Sequence, residues 1–416
     1  MLGNPAFAPR ALTPPRSATS ATVALGDTVA RLRAEGRTII NLGSGDPDFA
    51  TPGHIVEAGV RSLREGRTHY APSRGIPALL EAIAADREAR TGIEVAPGRE
   101  VVTTPSAKYA LTIAVSAIAG VGEPVMILAP SWVSYVSMVT IAGAEPCPVP
   151  LDAADGFRLT RERLEAAHRP GARMIIVNSP NNPTGRVFDA AELEALAGYA
   201  QAHDVVVLSD EIYEDVVYDG PQTSIASLPG MAERTVVVSG FSKAFAMTGW
   251  RLGYVVAPPA LTDRILAVHQ HTSSCVATFV QDAGVAALTG PRDVVREMTG
   301  TYRQRLDVAL RRIGEVPQFG VRRPEGAFYL LVDVSRTPVP DSTQFATWAL
   351  ERTGVSLVPG ASFGPGADRH VRLALTTTSD VLLEAVDRLA ELVSDPHAAT
   401  AADGAAQAPT LHEEQS

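Results

Sequence analysis

Of the 36 lysines and arginines in this 416-residue chain only two are lysines, Lys108 in "TTPSAKYAL" and Lys243 in "SGFSKAFAMTGWRLGY". Both stand in motif-like loops rather than in segments patterned as solvent-facing helix. A lysine can do what an arginine cannot: when its surroundings lower its proton affinity it becomes a nucleophilic amine, whereas a guanidinium stays protonated. Downstream of Lys243, Arg251 suits a phosphate. Asp210 closes the apolar run "DVVVLSD", where a buried carboxylate needs a cationic partner, and a protonated pyridine nitrogen is one. Tyr213, in "DEIY", can donate to a phenolate-like oxygen, and Asn182 lies in "NSPNNPTG".

These residues need a scaffold that brings them together. The runs "PVMILAP", "RMIIVNSP", "DVVVLSDE" and "RTVVVSGFSK" are short, β-branched and continuous, as strands buried on both faces of a parallel sheet are. Between them, "AAELEALAGYAQAHD" and "PALLEAIAADREAR" have the apolar spacing of crossover helices. The pattern predicts an α/β unit over 50–295 with a mostly parallel central sheet. Beyond it, "REMTGTYRQRLDVALRRI", "GAFYLLVDV", "VSLVPGASFG", "HVRLAL" and "VLLEAVDRLAELV" predict a smaller α+β unit over 296–395, which the segment 21–49 is expected to join. Residues 1–20 read as a flexible arm and 396–416 as a disordered, low-complexity tail. In open α/β sheets ligands bind beyond the carboxyl ends of the strands, which is where the polar clusters fall. An amine, a carboxylate, a phenol, an amide and a phosphate-binding arginine gathered there form the environment of pyridoxal 5′-phosphate (PLP).

The bulk composition narrows the alternatives. A formal net charge of −10 without a basic cluster argues against a nucleic-acid or anionic-membrane partner. Two widely separated cysteines, Cys147 and Cys275, make neither a disulfide framework nor a zinc site, and no metal is expected. Without an apolar leader or a membrane-length run, a cytoplasmic enzyme is expected. "GASFG" at 360–364 has the letters of a hydrolase elbow, but Pro365 and Gly366 follow where a helix must open. "GSG" at 43–45 lacks the third glycine of a dinucleotide site.

From about residue 18 to 395 the chain resembles the class I aminotransferases among fold-type-I PLP enzymes. The resemblance is carried by "NLGSGDPDFATP", "HYAPSRGIPALLEAIA", "APSWVSYVSM", "NSPNNPTG", "SDEIY", "GFSKAFAMTGWRLGY", "PEGAFY" and "PGASFGPGADRHVRLAL", in the family's order. It implies that Lys243 is the Schiff-base lysine and Asp210 the partner of the pyridine nitrogen. It implies further that Tyr213 and Asn182 hold the ring oxygen, Trp132 stacks on the ring, and Arg372 grips the substrate α-carboxylate beside the backbone of Gly43. The phosphate would be held by the amides of Ser106 and Ala107, by Arg251 and Ser242, and by Tyr70 of the partner subunit in a homodimer. Alone, Trp132 would more often be a core aromatic and Arg372 a surface ion pair; the constellation carries them.

The second lysine bears on the substrate. Lys108 follows the phosphate-binding amides, and in the resembling family this position varies with substrate. A cation there can pair with the distal carboxylate of aspartate, glutamate or 2-oxoglutarate, with Ser20 and Thr22 as further candidates. The expectation is ping-pong amino-group exchange between such an amino acid and a 2-oxo acid. A local ion pair for Lys108 stays open. So does another PLP reaction on the same scaffold: β- or γ-elimination or substitution, or amino-acid oxidation. The sequence departs from the family's pattern at Gly240, Asp46 and His271, and His271 with Cys275 is expected to line a modified pocket.

Overall fold

The computed structural model describes residues 21–395, so the arm over 1–20 and the tail over 396–416 lie outside the described residues. The chain opens with α1 (Ala21–Ala34), β1 (Ile40–Asn41), α2 (Gly53–Arg64), α3 (Pro77–Thr91), a short α4 (Pro97–Glu100), β2 (Val101–Thr104) and α5 (Ala107–Ile118). Strands β3 (Pro124–Ala129), β4 (Glu145–Pro150), β5 (Met174–Asn178), β6 (Val206–Asp210), β7 (Thr235–Gly240) and β8 (Gly253–Val256) follow, with helices between most of them. β2 to β8 form one sheet in the order β2-β8-β7-β6-β5-β3-β4. Neighbours are parallel except at β8, which runs antiparallel to both β2 and β7. The mostly parallel sheet expected from the sequence is therefore present.

Local chemistry explains why these segments form. Every residue of β2, β5 and β7 is buried, so each strand centres on β-branched or apolar residues without alternating apolar and charged positions. Helix α3 starts with Pro77, whose missing N–H costs nothing in the first turn, and stops at Gly92 with φ 70°. The helix Ala190–Ala202 is nucleated by a capping box in which Asp189 and Glu192 satisfy each other's backbone amides.

Past the long helix Asp293–Gly314 come β9 (Gly320–Val321), β10 (Tyr329–Asp333), β11 (Val355–Ser356), β12 (Val358–Pro359) and β13 (His370–Ala374). Four of these make an antiparallel sheet in the order β12-β13-β10-β9, while β11 pairs in parallel with β1. The apolar core of this second sheet, with Tyr302, Phe328 and Phe345, also takes in Tyr213 and Val216 from just beyond β6. Packing thus joins the two sheets beside the carboxyl end of the first. Among the described residues no helix is long and apolar enough to cross a membrane.

Candidate active site

The carboxyl ends of the parallel strands carry the candidate residues. Asp210 is the last residue of β6, and Asn178 the last of β5 with Asn182 just beyond it. Lys243 follows β7, Ser106 follows β2, and Trp132 follows β3. These side chains line one cavity of about 300 Å³, together with Ala107, Lys108, Tyr213, Ser242, Arg251 and Arg372. That volume suits a small-molecule ligand. The structure brings together residues more than 260 positions apart in the chain, from Ser106 to Arg372.

Asp210 is 3% exposed. Its Oδ2 accepts from the Tyr135 hydroxyl at 2.6 Å and its Oδ1 from the Ile212 amide at 3.2 Å. Burial pushes the carboxyl up to about 6, and those two hydrogen bonds hold it lower than burial alone would. Among the described residues no arginine or lysine reaches hydrogen-bonding distance of this carboxylate. A cationic ring nitrogen supplied by a ligand would relieve it. The next residue, Glu211, points the opposite way, as strand alternation requires, and is met by Arg87 at 2.7 Å. Arg87 also pairs with Glu214, so a buried ion network beneath the site anchors the segment that carries Asp210 and Tyr213.

The Lys243 amine donates to the Gly45 carbonyl at 2.7 Å. Burial lowers it to about 8; Asp46 is the strongest charge acting to raise it, while Arg372 and Arg251 lower it further. This amine is unprotonated in an appreciable fraction near neutrality, as a nucleophile must be. Arg372 is 2% exposed yet meets no acid: its Nη1 donates to Asn182 Oδ1 at 2.9 Å and its Nη2 to the Gly43 carbonyl at 2.7 Å, while Nε has no partner. Tyr329 lies under the guanidinium, 4.3 Å from its ring centroid, and its hydroxyl meets that of Tyr213 at 2.9 Å. A buried arginine and a half-buried lysine, neither in an ion pair with an acid among the described residues, make the cavity an anion receptor.

At the other end, α5 opens on the cavity. The amides of Ala107 and Lys108, at the first helical positions, have no intrahelical acceptor. Here one expectation is corrected: the Ser106 amide is not free, because Ser106 sits at φ 122° and its N–H donates to the Thr104 carbonyl at 2.8 Å, while its hydroxyl accepts from the Tyr109 amide. Gly253 packs so closely against this turn that an added Cβ would lie 2.3 Å from the Ala107 nitrogen. Arg251, in a left-handed conformation at φ 59°, donates to the Thr248 carbonyl at 2.6 Å and lines the same cavity. Helix amides, an exposed arginine and the Ser242 hydroxyl form a cradle that fits a phosphate. With the buried amine and the unpaired Asp210, the residues fit PLP.

Not every expectation lands here. Tyr70 is 92% exposed and does not line its own chain's cavity. Ser20 lies outside the described residues, and Thr22 falls within α1, where its side chain is likewise outside what is described. Neither His271 nor Cys275 lines the cavity, which corrects the expected modified pocket. Conversely, Tyr135, Tyr329 and Thr248 line it without having been singled out from the sequence, and Asn178, which opens the polar cluster "NSPNNPTG", lines it as well. Asn178 donates to the Asp210 carbonyl at 2.9 Å and accepts from the Asn182 amide, tying two strand ends together. Lys108 is exposed, and its amine stands 5.0 Å from the Trp132 ring centroid. Desolvation at the cavity mouth and the charge of Arg251 both lower it.

Residues 37–389 match the family profile "Aminotransferase class I and II". The aspartate aminotransferase of Musicola paradisiaca is 38% identical over 377 residues, which is 90% of this chain and 94% of that protein. The arginine–pyruvate transaminase of Pseudomonas aeruginosa is 38% identical over 360 residues, 86% of this chain and 90% of that protein. Among solved structures, the aspartate aminotransferase from Thermus thermophilus with maleate superimposes with a TM-score of 0.86 at 39% identity, covering 90% of this chain and 97% of that one.

Proposed function

The chain belongs to the class I and II aminotransferases, and from that premise we propose that it moves the amino group of a dicarboxylic L-amino acid, aspartate or glutamate, onto a 2-oxo acid by ping-pong exchange. It is a PLP-dependent enzyme with the α/β architecture of fold type I. The relatives described above are all named as aminotransferases or transaminases, so elimination, substitution or oxidation on this scaffold is not favoured. The dicarboxylic preference rests chiefly on Lys108, whose amine has no acid partner among the described residues while it stands over Trp132 at the cavity mouth.

When bound, PLP supplies the electron-withdrawing ring that makes the α-proton of an amino acid acidic. The protein's own groups do the rest. Asp210 presents a buried negative charge for the ring nitrogen, with Tyr135 keeping that carboxylate oriented. Tyr213 and the side-chain amide of Asn182 would hold the ring oxygen, and Trp132 would stack on the ring. The Ala107 and Lys108 amides, Arg251 and Ser242 would hold the phosphate, joined by Tyr70 of the partner subunit in a homodimer. Arg372 turns from its neutral acceptors to the α-carboxylate, which orients the Cα–H bond. The Lys243 amine, its proton affinity lowered by burial, would hold the cofactor and, once freed by the substrate amine, would accept and return the proton at substrate Cα. Tyr329, stacked under Arg372 and bonded to Tyr213, keeps the carboxylate and ring-oxygen sites in register.

Two measurements test this. Single-turnover absorbance changes of the holoenzyme with each amino acid, without acceptor, should be fastest with aspartate or glutamate, and Lys108→Ala should cut the aspartate-over-alanine preference by at least about tenfold, the size of one charge-assisted contact at a half-exposed position. An unchanged preference removes Lys108 from the proposal. Borohydride reduction should tag Lys243; a tag elsewhere overturns the site.

A further inference from the structure

The loop Gly43–Asp48, between β1 and α2, is bonded at nearly every residue to the elements around the cavity. Gly43 accepts from Arg372 at 2.7 Å, Ser44 from the Thr376 hydroxyl at 3.1 Å, and Gly45 from Lys243 at 2.7 Å. Asp48 takes a two-pronged contact from Arg305 at 2.7–2.8 Å, and further on the Thr51 hydroxyl donates to the Ala246 carbonyl at 2.7 Å. Asp46 Oδ1 accepts from the Thr248 hydroxyl at 2.7 Å, and Thr248 in turn accepts at its carbonyl from Arg251. Gly45 is pressed against Tyr329, whose hydroxyl would lie 2.6 Å from an added Cβ, so the Gly45 carbonyl has little room to leave the amine.

Four charges act on Lys243: the acids Asp46 and Asp210 raise its proton affinity, and the cations Arg372 and Arg251 lower it, while the phenols Tyr213 and Tyr329 line the same cavity. Asp210 lies at the bottom, where its role is toward the cofactor ring, and both phenols are engaged with each other. Asp46, the neighbour of Gly45 in this loop, is the remaining acid that acts on the amine, and the sequence departs from the resembling family's pattern at this position.

We propose that Asp46 is a positioning residue for Lys243: held by Thr248, its carboxylate supplies the negative charge that faces the amine and locks the Gly45 carbonyl against it. This rests on Lys243 being the residue that carries the cofactor. Thr248 then links two parts of the site, because the same residue that restrains Asp46 also restrains the phosphate-cradling Arg251.

The rarity of lysine makes the test direct. In the full-length protein grown with [ε-¹⁵N]lysine, two side-chain resonances arise, from Lys108 and Lys243, and their shifts can be followed against pH in the cofactor-free protein. Asp46→Asn, which keeps a hydrogen-bond acceptor but removes the charge, should lower the Lys243 midpoint by about 0.5–1 pH unit, the low end of an opposite-charge effect because Asp46 is exposed and screened. The Lys108 midpoint should stay within about 0.2 unit. Thr248→Val, which leaves the charge but frees it, should lower the Lys243 midpoint by a smaller amount, and Asp46→Glu should restore most of the loss. In the holoenzyme the visible absorbance of the bound cofactor should titrate with the same order among the variants. A Lys243 midpoint in Asp46→Asn equal to the parent's, or one that moves together with Lys108, overturns the proposal. Should Asp46→Asn fail to fold, Thr248→Val takes its place, and a midpoint there equal to the parent's overturns the proposal just as well. Borohydride tagging of a residue other than Lys243 would fault the site reading instead, so the two failures are told apart.

Discussion

Asp210→Asn is the substitution whose outcome follows most directly from the structure, and it should stabilise the cofactor-free protein. The parent carboxyl is buried and its proton affinity is raised from the ordinary value of 3.8 to about 6. An acid bound more tightly to its proton in the folded state makes stability fall as pH rises: the penalty is absent below about 4, grows between about 4 and 6, and is complete above 6. Two units correspond to about 3 kcal/mol. Asparagine mimics the protonated form, keeps acceptors for the Tyr135 hydroxyl and the Ile212 amide, and escapes the penalty. Urea denaturation of the cofactor-free protein, at fixed protein concentration, should therefore show Asp210→Asn more stable than the parent by up to about 3 kcal/mol at pH 8, with the gap about halved at pH 5 and closing towards pH 4. Adding PLP should reverse the order, because the parent then gains a cationic partner for its buried charge and the variant does not. An Asp210→Asn protein no more stable than the parent at pH 8, or a gap independent of pH, would refute the claim that this carboxylate waits uncompensated for a ligand.

Two further outcomes test the parts around it. Gly253→Ala should weaken PLP binding by at least tenfold, because the new methyl would press on the turn at Ala107 whose amide faces the phosphate and cost about 1–3 kcal/mol; titration of the cofactor-free protein by fluorescence quenching measures it. Arg87→Met should destabilise the protein by about 3–5 kcal/mol in the same urea assay, since it strands the buried Glu211 without a cation and leaves Glu214 only Arg90 at 4.0 Å.

How far the sequence reached depends on whether a role is local or relational. Lys243, Asp210 and Asn182 were legible because each ends or follows a β-branched run, and the carboxyl ends of parallel strands converge by the geometry of the sheet. Tyr135 was not. Its value lies in a hydroxyl directed at a carboxylate on another strand, and within "SWVSYVSM" it looks like any aromatic on a short helix. Tyr329 hides in the same way, as one more aromatic in "GAFYLL" until a second sheet lays it under Arg372. The Ser106 amide misled for a different reason: whether an N–H is free depends on a backbone angle, here a φ of 122°, which no side-chain pattern states. The role proposed for Tyr70, exposed in the single chain, belongs to an assembly of two copies rather than to one.

The way Arg372 is held has a consequence for what the enzyme can ignore. The outer nitrogens of its guanidinium each donate one N–H to an uncharged oxygen, on Asn182 and Gly43, while Nε keeps a free donor, so the fork is held in place without a competing charge. A carboxylate can take two parallel N–H donors of such a fork at once and bring the opposite charge with it; chloride, with a single point of contact and no second oxygen, matches it less well. Selectivity is thereby written into the resting state, and the common small ions of the surrounding solution make poor competitors for the seat of the amino acid.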